Sequence, residues 1–361
     1  MGGNALAVIG VKSKRLNKTE FNYLTKKVVK VISNLISSVN SKEDLIKNYP
    51  HEVLAYKDKE TFGDLDLLID GKLLEYFSYS EILSALEKEF NYKGQLPFKP
   101  KDKNDMTFSF GLPSDEENVF FQIDLISSKE EYFDFQSNYL NWNDLGNLIG
   151  VVASSNGFLK YGHDGLKYQF RDGTNLYYEH VLTTDWDKAL DFFGYDVERY
   201  HKGFKKLEDI YEYASSSKFF NKDLYAFENR NHIQRIRDKK RPTYNGFLKW
   251  IEERNFNSNP LTTEIWKERV YKEFPDFVEI EKRTIDKQAV DSKQKKIIKG
   301  YFNWDILSKY KPNLKDQEIG DYLNALKNVV PNFEEFVIEN KENSIKLLID
   351  KKEKNKVRLK Y

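Results

Sequence analysis

Residues 61–69 read Thr-Phe-Gly-Asp-Leu-Asp-Leu-Leu-Ile and are the most informative stretch of the sequence. It predicts a strand over residues 64–69, which the chain reaches through a turn at Gly63. Successive side chains of a strand point to opposite faces, so Asp64 and Asp66 share one face while the apolar residues between and after them face the core. Two neighbouring carboxylates repel each other, and this arrangement therefore calls for a cation.

A second apolar stretch supplies a third acid. Residues 119–126 read Val-Phe-Phe-Gln-Ile-Asp-Leu-Ile, and the acid is Asp124. If this strand pairs beside the first, Asp124 completes a nest of carboxylates with Asp64 and Asp66. Oxygen ligands without His or Cys fit Mg²⁺ or Mn²⁺, and two such ions about 4 Å apart suit in-line displacement at phosphorus. The two strands therefore predict a two-metal site.

The elements around these strands predict an α+β fold with a mixed sheet. Apolar periodicity gives the order helix, strand, strand, helix, strand, strand over residues 19–37, 52–56, 64–69, 78–90, 106–112 and 118–126. Beyond residue 139, apolar spacings of three and four predict a mostly helical region. Its helices are expected at 145–153, 186–193, 204–214, 223–237, 244–254, 263–274, 316–329 and 333–348.

These patterns predict four segments. Residues 1–18 form a basic N-terminal arm that is mobile or ordered by substrate. Residues 19–138 form the domain that carries the acids, and residues 139–350 form a mostly helical substrate-binding region. Residues 351–361 form a frayed basic tail.

Composition narrows the possible chemistry. The chain has 361 residues and no cysteine, which excludes disulfides, Cys-ligated zinc, iron–sulfur clusters and cysteine nucleophiles. Lys and Arg total 58 against 57 Asp and Glu, so the net charge is +1 and a local cluster of cations is informative. There is no apolar run long enough for a membrane span and no secretory signal, so we expect a soluble, cytoplasmic protein without a membrane partner.

The acid-bearing segments resemble a known family. Residues 59–68, Lys-Glu-Thr-Phe-Gly-Asp-Leu-Asp-Leu-Leu, followed by Gln-Ile-Asp-Leu-Ile at 122–126, resemble the palm of the DNA polymerase β superfamily, family X in particular. The resemblance implies the nucleotidyltransferase fold, in which Asp64 and Asp66 bind both metal ions. Asp124 would bind the catalytic metal and assist the 3′-hydroxyl.

Two further segments add to the resemblance. Residues 145–165 are loosely similar to the family X segment where the palm passes to the nucleotide-facing subdomain. The later helical region resembles phage-encoded nucleotidyltransferases, which implies the host cytoplasm as the location.

The sequence also departs from the family. Nucleotidyltransferases usually carry a Gly-Ser pair on the turn before the acids, whereas residues 53–59 read Val-Leu-Ala-Tyr-Lys-Asp-Lys. We therefore expect Lys57, Lys59 and Gly63 to contact the triphosphate of an NTP or dNTP substrate. Residues 139–142 replace the family X Thr-Gly turn. No counterpart of the module that binds the 5′ side of a DNA gap is present, which argues against a gap-filling repair polymerase.

A second cluster predicts contact with nucleic acid. On a helix, Arg230, Gln234, Arg237 and Arg241 fall near one stripe, which fits a phosphate backbone, and Arg235 lies beside it. The alternative is a helix laced with salt bridges.

Other candidates are weaker. His163, in a glycine-flanked turn, is a candidate for a base or phosphate contact, with simple exposure as the alternative. The other four histidines lack metal-ligand spacing. The Lys runs at 293–299 and 351–360 have two interpretations, a solvated surface or a contact with nucleic acid.

Three functions follow from these patterns. The first is metal-dependent transfer of a nucleoside monophosphate to a nucleic-acid 3′ end, with RNA such as tRNA somewhat ahead of DNA. The second is the same chemistry on a hydroxyl of a protein or a small molecule. The third is a non-catalytic nucleic-acid-binding protein that retains the palm.

Overall fold

The computed structural model describes residues 4–40, 45–100, 105–154, 157–256 and 261–358. The chain divides into two compact units, Met1–Pro275 and Asp276–Tyr361. The boundary predicted between residues 138 and 139 lies inside the first unit.

The first unit contains the described strands and eleven helices. The strands are β1 Lys12–Ser13, β2 Leu16–Asn17, β3 His51–Glu52, β4 Thr61–Phe62, β5 Leu65–Asp70, β6 Thr107–Pro113, β7 Val119–Ser128, β8 Leu159–Gly162, β9 Gly165–Asp172 and β10 Asn175–Thr183. The helices are α1 Lys18–Val39, α2 Leu73–Tyr76, α3 Tyr79–Glu89, α4 Phe133–Leu140, α5 Leu145–Ser154, α6 Trp186–Phe192, α7 Val197–Lys202, α8 Leu207–Ala214, α9 His232–Lys239, α10 Pro242–Glu252 and α11 Thr263–Glu273.

The five-stranded mixed sheet is built around β7. On one side β7 pairs antiparallel with β6, and on the other it pairs in parallel with β1 at its start and with β5 further along. The edge strand β3 pairs antiparallel with β5. The α+β fold with a mixed sheet is thus confirmed, although β3 is shorter than the predicted strand over 52–56.

The helices of this region begin where the sequence predicts. Capping boxes open α1 at Asn17 with Glu20 and α3 at Ser78 with Glu81. The apolar faces of both helices join one core with the apolar residues of β5, β6 and β7. This core fixes the positions of the strands that carry the acids.

The N-terminal arm belongs to the fold, which corrects the prediction of a mobile or substrate-ordered segment for its described residues. Leu6 is fully buried, β1 extends the sheet, and β2 pairs with β4. The prediction relied on the basic residues of this segment and overlooked its apolar residues, of which Leu6 and Leu16 are fully buried. As a result, Arg15 donates to the Thr61 carbonyl at 3.1 Å, just before the turn at Gly63.

The region after residue 139 contains a sheet that the periodicity did not predict. Strands β8, β9 and β10 form an antiparallel sheet, and α5 packs on β8. The signal was in the sequence, because Asp164-Gly165 and Asp172-Gly173 are hairpin turns flanked by alternating side chains, and both glycines have positive φ angles. The region is therefore mixed at its start and helical beyond α6.

The second unit is helical. It contains α12 Phe277–Tyr301, α13 Trp304–Tyr310, α14 Asp316–Lys327, α15 Phe333–Asn340 and α16 Ser344–Arg358 around its own apolar core. The Lys run at 293–299 lies on α12 with its lysines exposed, in agreement with a solvated helix face. The tail expected to be frayed from residue 351 is helical as far as Arg358, and residues 359–361 lie outside the described part of the chain.

Candidate two-metal site

The parallel strands β5 and β7 bring the predicted acids together. Asp66 and Asp124 are directly opposite each other in the register, and Asp64 immediately precedes β5. One carboxylate oxygen from each of the three residues lies within 4.8 Å of the others. The predicted pairing of the two strands is confirmed.

The acids lie where one face of the sheet becomes accessible. On the opposite face, Leu65 and Leu67 are fully buried in the core. On the acid face, Leu68 and Asp70 are also fully buried, and α4 packs on β5. The acids therefore occupy the end of the strand at which this cover stops.

Hydrogen bonds hold the Asp124 side chain in place. The Gln122 amide nitrogen donates to both carboxylate oxygens of Asp124, at 3.1 and 3.0 Å. The side-chain amide oxygen of Gln122, Oε1, accepts from the backbone nitrogen of Ala5 at 2.7 Å, which fixes the orientation of the Gln122 amide. Ser109, opposite Asp124 on β6, adds a hydroxyl hydrogen bond. The N-terminal arm thus helps to orient a predicted metal ligand.

Burial and mutual repulsion disfavour three negative charges at this site. Burial raises the pKa of Asp66 well above its usual value, and the charges of Asp64 and Asp124 raise it further. Burial raises the pKa of Asp124 to about 6, against the opposing effect of the Ser109 and Gln122 hydrogen bonds. A divalent cation would offset the negative charge of the three carboxylates, and the all-oxygen donor set fits Mg²⁺ or Mn²⁺.

A cavity of about 360 Å³ opens beside the acids; we call it the carboxylate cavity. Its size suits a small polar ligand such as a nucleotide. The lining residues are Phe21, Val53, Leu54, Ala55, Lys59, Phe62, Asp64, Asp66, Leu140, Asn143, Asp144, Arg241, Pro242 and Thr243.

The predicted nucleotide-binding residues have different placements. Lys59 lines the carboxylate cavity, with its ammonium 4.9 Å from the centre of the Phe62 ring. Burial lowers the Lys59 pKa, and the neighbouring charges of Asp64 and Asp66 raise it. Gly63 lies at the bend between β4 and β5. Lys57 is exposed and its ammonium donates to the carbonyl of Lys202 at 2.8 Å, so it is not among the residues lining the cavity.

Asn143 is a candidate that the sequence reasoning missed. Its side chain lines the carboxylate cavity, and its amide oxygen is buried without a hydrogen-bond partner among the described residues. Trp142 and Asn143 both have positive φ angles, 64° and 62°. Such a backbone costs free energy and clusters at functional sites, although Asn tolerates it better than Trp does. The tandem left-handed residues hold this unsatisfied acceptor in the wall of the cavity.

The predicted cationic helix stripe is not one helix, which corrects that prediction. The chain from 222 to 229 forms two short 3₁₀ turns, and Asn231 then caps α9, so Arg230 precedes the helix. Arg241 follows α9, because Pro242 begins α10. Of the predicted residues, only Gln234, Arg235 and Arg237 lie on α9.

Ion pairs occupy three of these arginines. Asp238 is fully buried and accepts from Arg230 at 3.2 Å and from Arg237 at 2.8 Å. Arg241 pairs with Asp144 at the rim of the carboxylate cavity. Gln234 completes the cap with Asn231, and Arg235 is partly exposed. In the protein without nucleic acid, this segment therefore forms salt bridges, as the alternative interpretation expected.

His163 lies in the turn between β8 and β9, where its side chain is exposed. This placement agrees with the alternative of simple exposure.

No protein-family model matches the sequence, and no curated protein shows significant similarity to it. Among the described residues, none of the helices is both long enough and apolar enough to cross a membrane.

Proposed function

We propose that this protein is a metal-dependent nucleotidyltransferase that transfers a nucleoside monophosphate from an NTP or dNTP to the 3′-hydroxyl of a nucleic acid. The observation that supports this most strongly is the meeting of Asp64, Asp66 and Asp124 on adjacent parallel strands, with ligand oxygens within 4.8 Å of each other. Asp64 and Asp66 line a cavity of nucleotide size whose lining also includes the cationic side chains of Lys59 and Arg241. The resemblance to the polymerase β palm supports the same chemistry.

The reaction is an in-line displacement at the α-phosphorus. The acceptor oxygen forms a bond to the phosphorus while the bond to the β-phosphate oxygen breaks, and pyrophosphate leaves with the electron pair. When bound, two Mg²⁺ ions held by Asp64, Asp66 and Asp124 supply charge stabilisation to the attacking and leaving oxygens. In this proposal the Asp124 carboxylate receives the hydroxyl proton, and its hydrogen bonds to Gln122 and Ser109 keep it oriented.

Side chains around the cavity position the donor nucleotide. Lys59 offsets triphosphate charge in place of the absent Gly-Ser turn, and Arg15, tied to Thr61, adds a second cation at the same turn. Asn143 lines the same cavity and offers its side-chain amide to a polar edge of the base or sugar. The Arg241–Asp144 pair borders the cavity with both a donor and an acceptor group.

Transfer of radiolabel from α-labelled nucleotides tests this function. Each NTP and dNTP is offered with Mg²⁺ or Mn²⁺ to total tRNA, to a single-stranded DNA primer, and to the protein alone. The expected result is label on a nucleic acid that disappears in the Asp64→Asn/Asp66→Asn variant. Label on the protein alone would assign the acceptor to a protein. If none of the acceptors is labelled by wild-type protein, the proposal fails.

A further inference from the structure

A larger cavity, of about 590 Å³, lies elsewhere in the first unit; we call it the hairpin cavity. Its walls come from α5, from the hairpin of β8 and β9, and from the segment that leads into α9. Its lining residues are Tyr139, Asn147, Gly150, Gly157, Leu159, Lys160, Tyr161, Gln169, Arg171, Leu224, Asn229, Arg230, Asn231, Gln234 and Arg237.

The lining suits an anionic ligand with polar edges. It includes four cationic side chains and, among the described residues that form it, no acid; the cations are Lys160, Arg171, Arg230 and Arg237. Two acids that do not line the cavity pair with these cations. Asp238 pairs with Arg230 and Arg237, and Glu179 pairs with Lys160 at 3.4 Å. Positive charge therefore exceeds negative charge by about two at the cavity. Five side-chain amides complete the polar surface, at Asn147, Gln169, Asn229, Asn231 and Gln234.

The same two segments of the chain, residues 144–147 and 237–241, contribute to the lining of both cavities. Asp144, before α5, lines the carboxylate cavity, whereas Asn147, in the first turn of α5, lines the hairpin cavity. Likewise, Arg241 lines the carboxylate cavity and Arg237 lines the hairpin cavity. Residues only three or four positions apart therefore line the two cavities, which places the cavities side by side in the first unit.

We propose that the hairpin cavity binds a phosphodiester and an adjoining base of the single-stranded acceptor, close to the 3′ end that reacts at the carboxylate cavity. This inference rests on the proposed function and deepens it by locating the acceptor. Lys160 and Arg171 on the hairpin contact the phosphate. Hydrogen bonds from Arg237 and Arg171 hold the side-chain amides of Asn147 and Gln169 in place, and each amide contacts the base edge through its second N–H or lone pair. The binding requires neither a metal ion nor a donor nucleotide.

Binding of a single strand, measured without metal, tests this proposal. A 5′-fluorescein-labelled single-stranded RNA of about twelve nucleotides, and the DNA of the same sequence, are titrated with full-length protein in EDTA and followed by fluorescence anisotropy. The test variants are Lys160→Ala and Arg171→Ala. The matched controls are Lys202→Ala, whose ammonium also lies 3.4 Å from a glutamate, and Arg199→Ala, which removes an arginine that does not line the cavity.

Each test variant should lose one phosphate contact. For a single strand this lowers the slope of log K against log salt by about 0.7, which at 0.1 M monovalent salt corresponds to roughly fivefold weaker binding. The controls should bind like wild-type protein. Unchanged binding in both test variants would overturn the proposal, as would a wild-type protein that does not bind the oligonucleotides.

A fluorescent NTP analogue, titrated with Mg²⁺, separates the acceptor from the donor. If the test variants weaken binding of this analogue and leave oligonucleotide binding intact, the hairpin cavity belongs to the donor and the proposal is wrong. The two proposals also fail separately. Strand binding that depends on Lys160 and Arg171, without any label transfer, would retain the acceptor cavity and reject the transferase.

Discussion

Replacing Asp124 by Asn should stabilise the metal-free protein at neutral pH while abolishing its response to Mg²⁺. Burial raises the pKa of Asp124 to about 6, from an ordinary value of 3.8. The folded protein therefore holds this proton more tightly than the unfolded chain does, and stability falls as the pH rises from about 4 to about 6. Above pH 6 the charged carboxylate carries the full penalty, which the neutral amide avoids.

The pKa shift sets the size of the effect. A shift of about two pKa units corresponds to roughly 3 kcal/mol, which is the upper limit of the stabilisation expected at pH 7.5. At pH 5 the same shift leaves about 1.6 kcal/mol, because the folded protein is then mostly protonated at this position. The new amide nitrogen of residue 124 would face the amide nitrogen of Gln122. The Gln122 amide does not flip to present its oxygen instead, because that oxygen accepts from the backbone nitrogen of Ala5. This donor conflict costs about 1 kcal/mol, so the net stabilisation at pH 7.5 is about 2 kcal/mol.

Urea unfolding in EDTA, followed by tryptophan fluorescence at pH 5 and 7.5, measures both values. Four of the five tryptophans, at 142, 186, 250 and 266, lie in the unit that contains Asp124. Asp172→Asn, at an exposed position at the end of β9, is the matched control and should change little at either pH. Mg²⁺ at a hundredfold excess over its dissociation constant should stabilise wild-type protein by about 2.7 kcal/mol and the Asp124→Asn variant hardly at all. A variant less stable than wild type at pH 7.5, or a difference independent of pH, would refute this reasoning.

Three further substitutions test separate parts of the site. Asp66→Asn removes a carboxylate from the centre of the cluster and should lower the transfer rate at least about 100-fold, measured with labelled nucleotide under saturating substrate; near-normal activity would exclude Asp66 from the site. Lys59→Gln removes the ammonium of the carboxylate cavity and should raise KM for the nucleotide roughly tenfold, with binding of single strands in EDTA unchanged; an unaltered KM would contradict the role given to Lys59. Asp238→Ala takes the carboxylate from the buried guanidinium of Arg230 and should lower the free energy of unfolding by about 3–5 kcal/mol in urea, whereas a loss below about 1 kcal/mol would show that the pair matters little.

The acids were predictable because they depend on local alternation. The period of two in residues 64–69 placed Asp64 and Asp66 on one face without knowledge of the rest of the fold, and a lone acid in an apolar strand indicated Asp124. The direct opposition of Asp66 and Asp124 needed the pairing of two distant strands. Alternation alone does not specify that register.

The cationic segment was misread because helical spacing was extended through caps and a proline. Asn231 and Pro242 are ordinary start signals, and they set Arg230 and Arg241 outside α9. The acids that pair with these arginines are Asp144, distant in sequence, and Asp238, whose burial depends on the fold. Apolar periodicity did not predict α12 for a different reason. Its apolar residues Val278, Ile285, Val290 and Ile297 are exposed and form no single apolar stripe.

The roles of Asn143 and Lys57 also depend on tertiary structure. The left-handed backbone at Asn143 is rare, and the sequence gives only the weak signal that Asn tolerates it. Lys57 is close to the acids in sequence, yet its ammonium is directed to the carbonyl of Lys202. Proximity along the chain therefore identified the strand of the site but not the direction of every side chain beside it.

Binding of Mn²⁺ in the presence of a non-hydrolysable nucleotide analogue tests the two-metal site of Asp64, Asp66 and Asp124 without requiring the acceptor to be known. Free Mn²⁺ is measured by electron paramagnetic resonance during titration of wild-type protein and of the Asp64→Asn/Asp66→Asn variant. The analogue should raise the Mn²⁺ bound by wild-type protein to two ions per chain, and the variant should bind neither ion tightly. Equal Mn²⁺ binding by the two proteins would contradict the assignment of Asp64, Asp66 and Asp124 as the metal site.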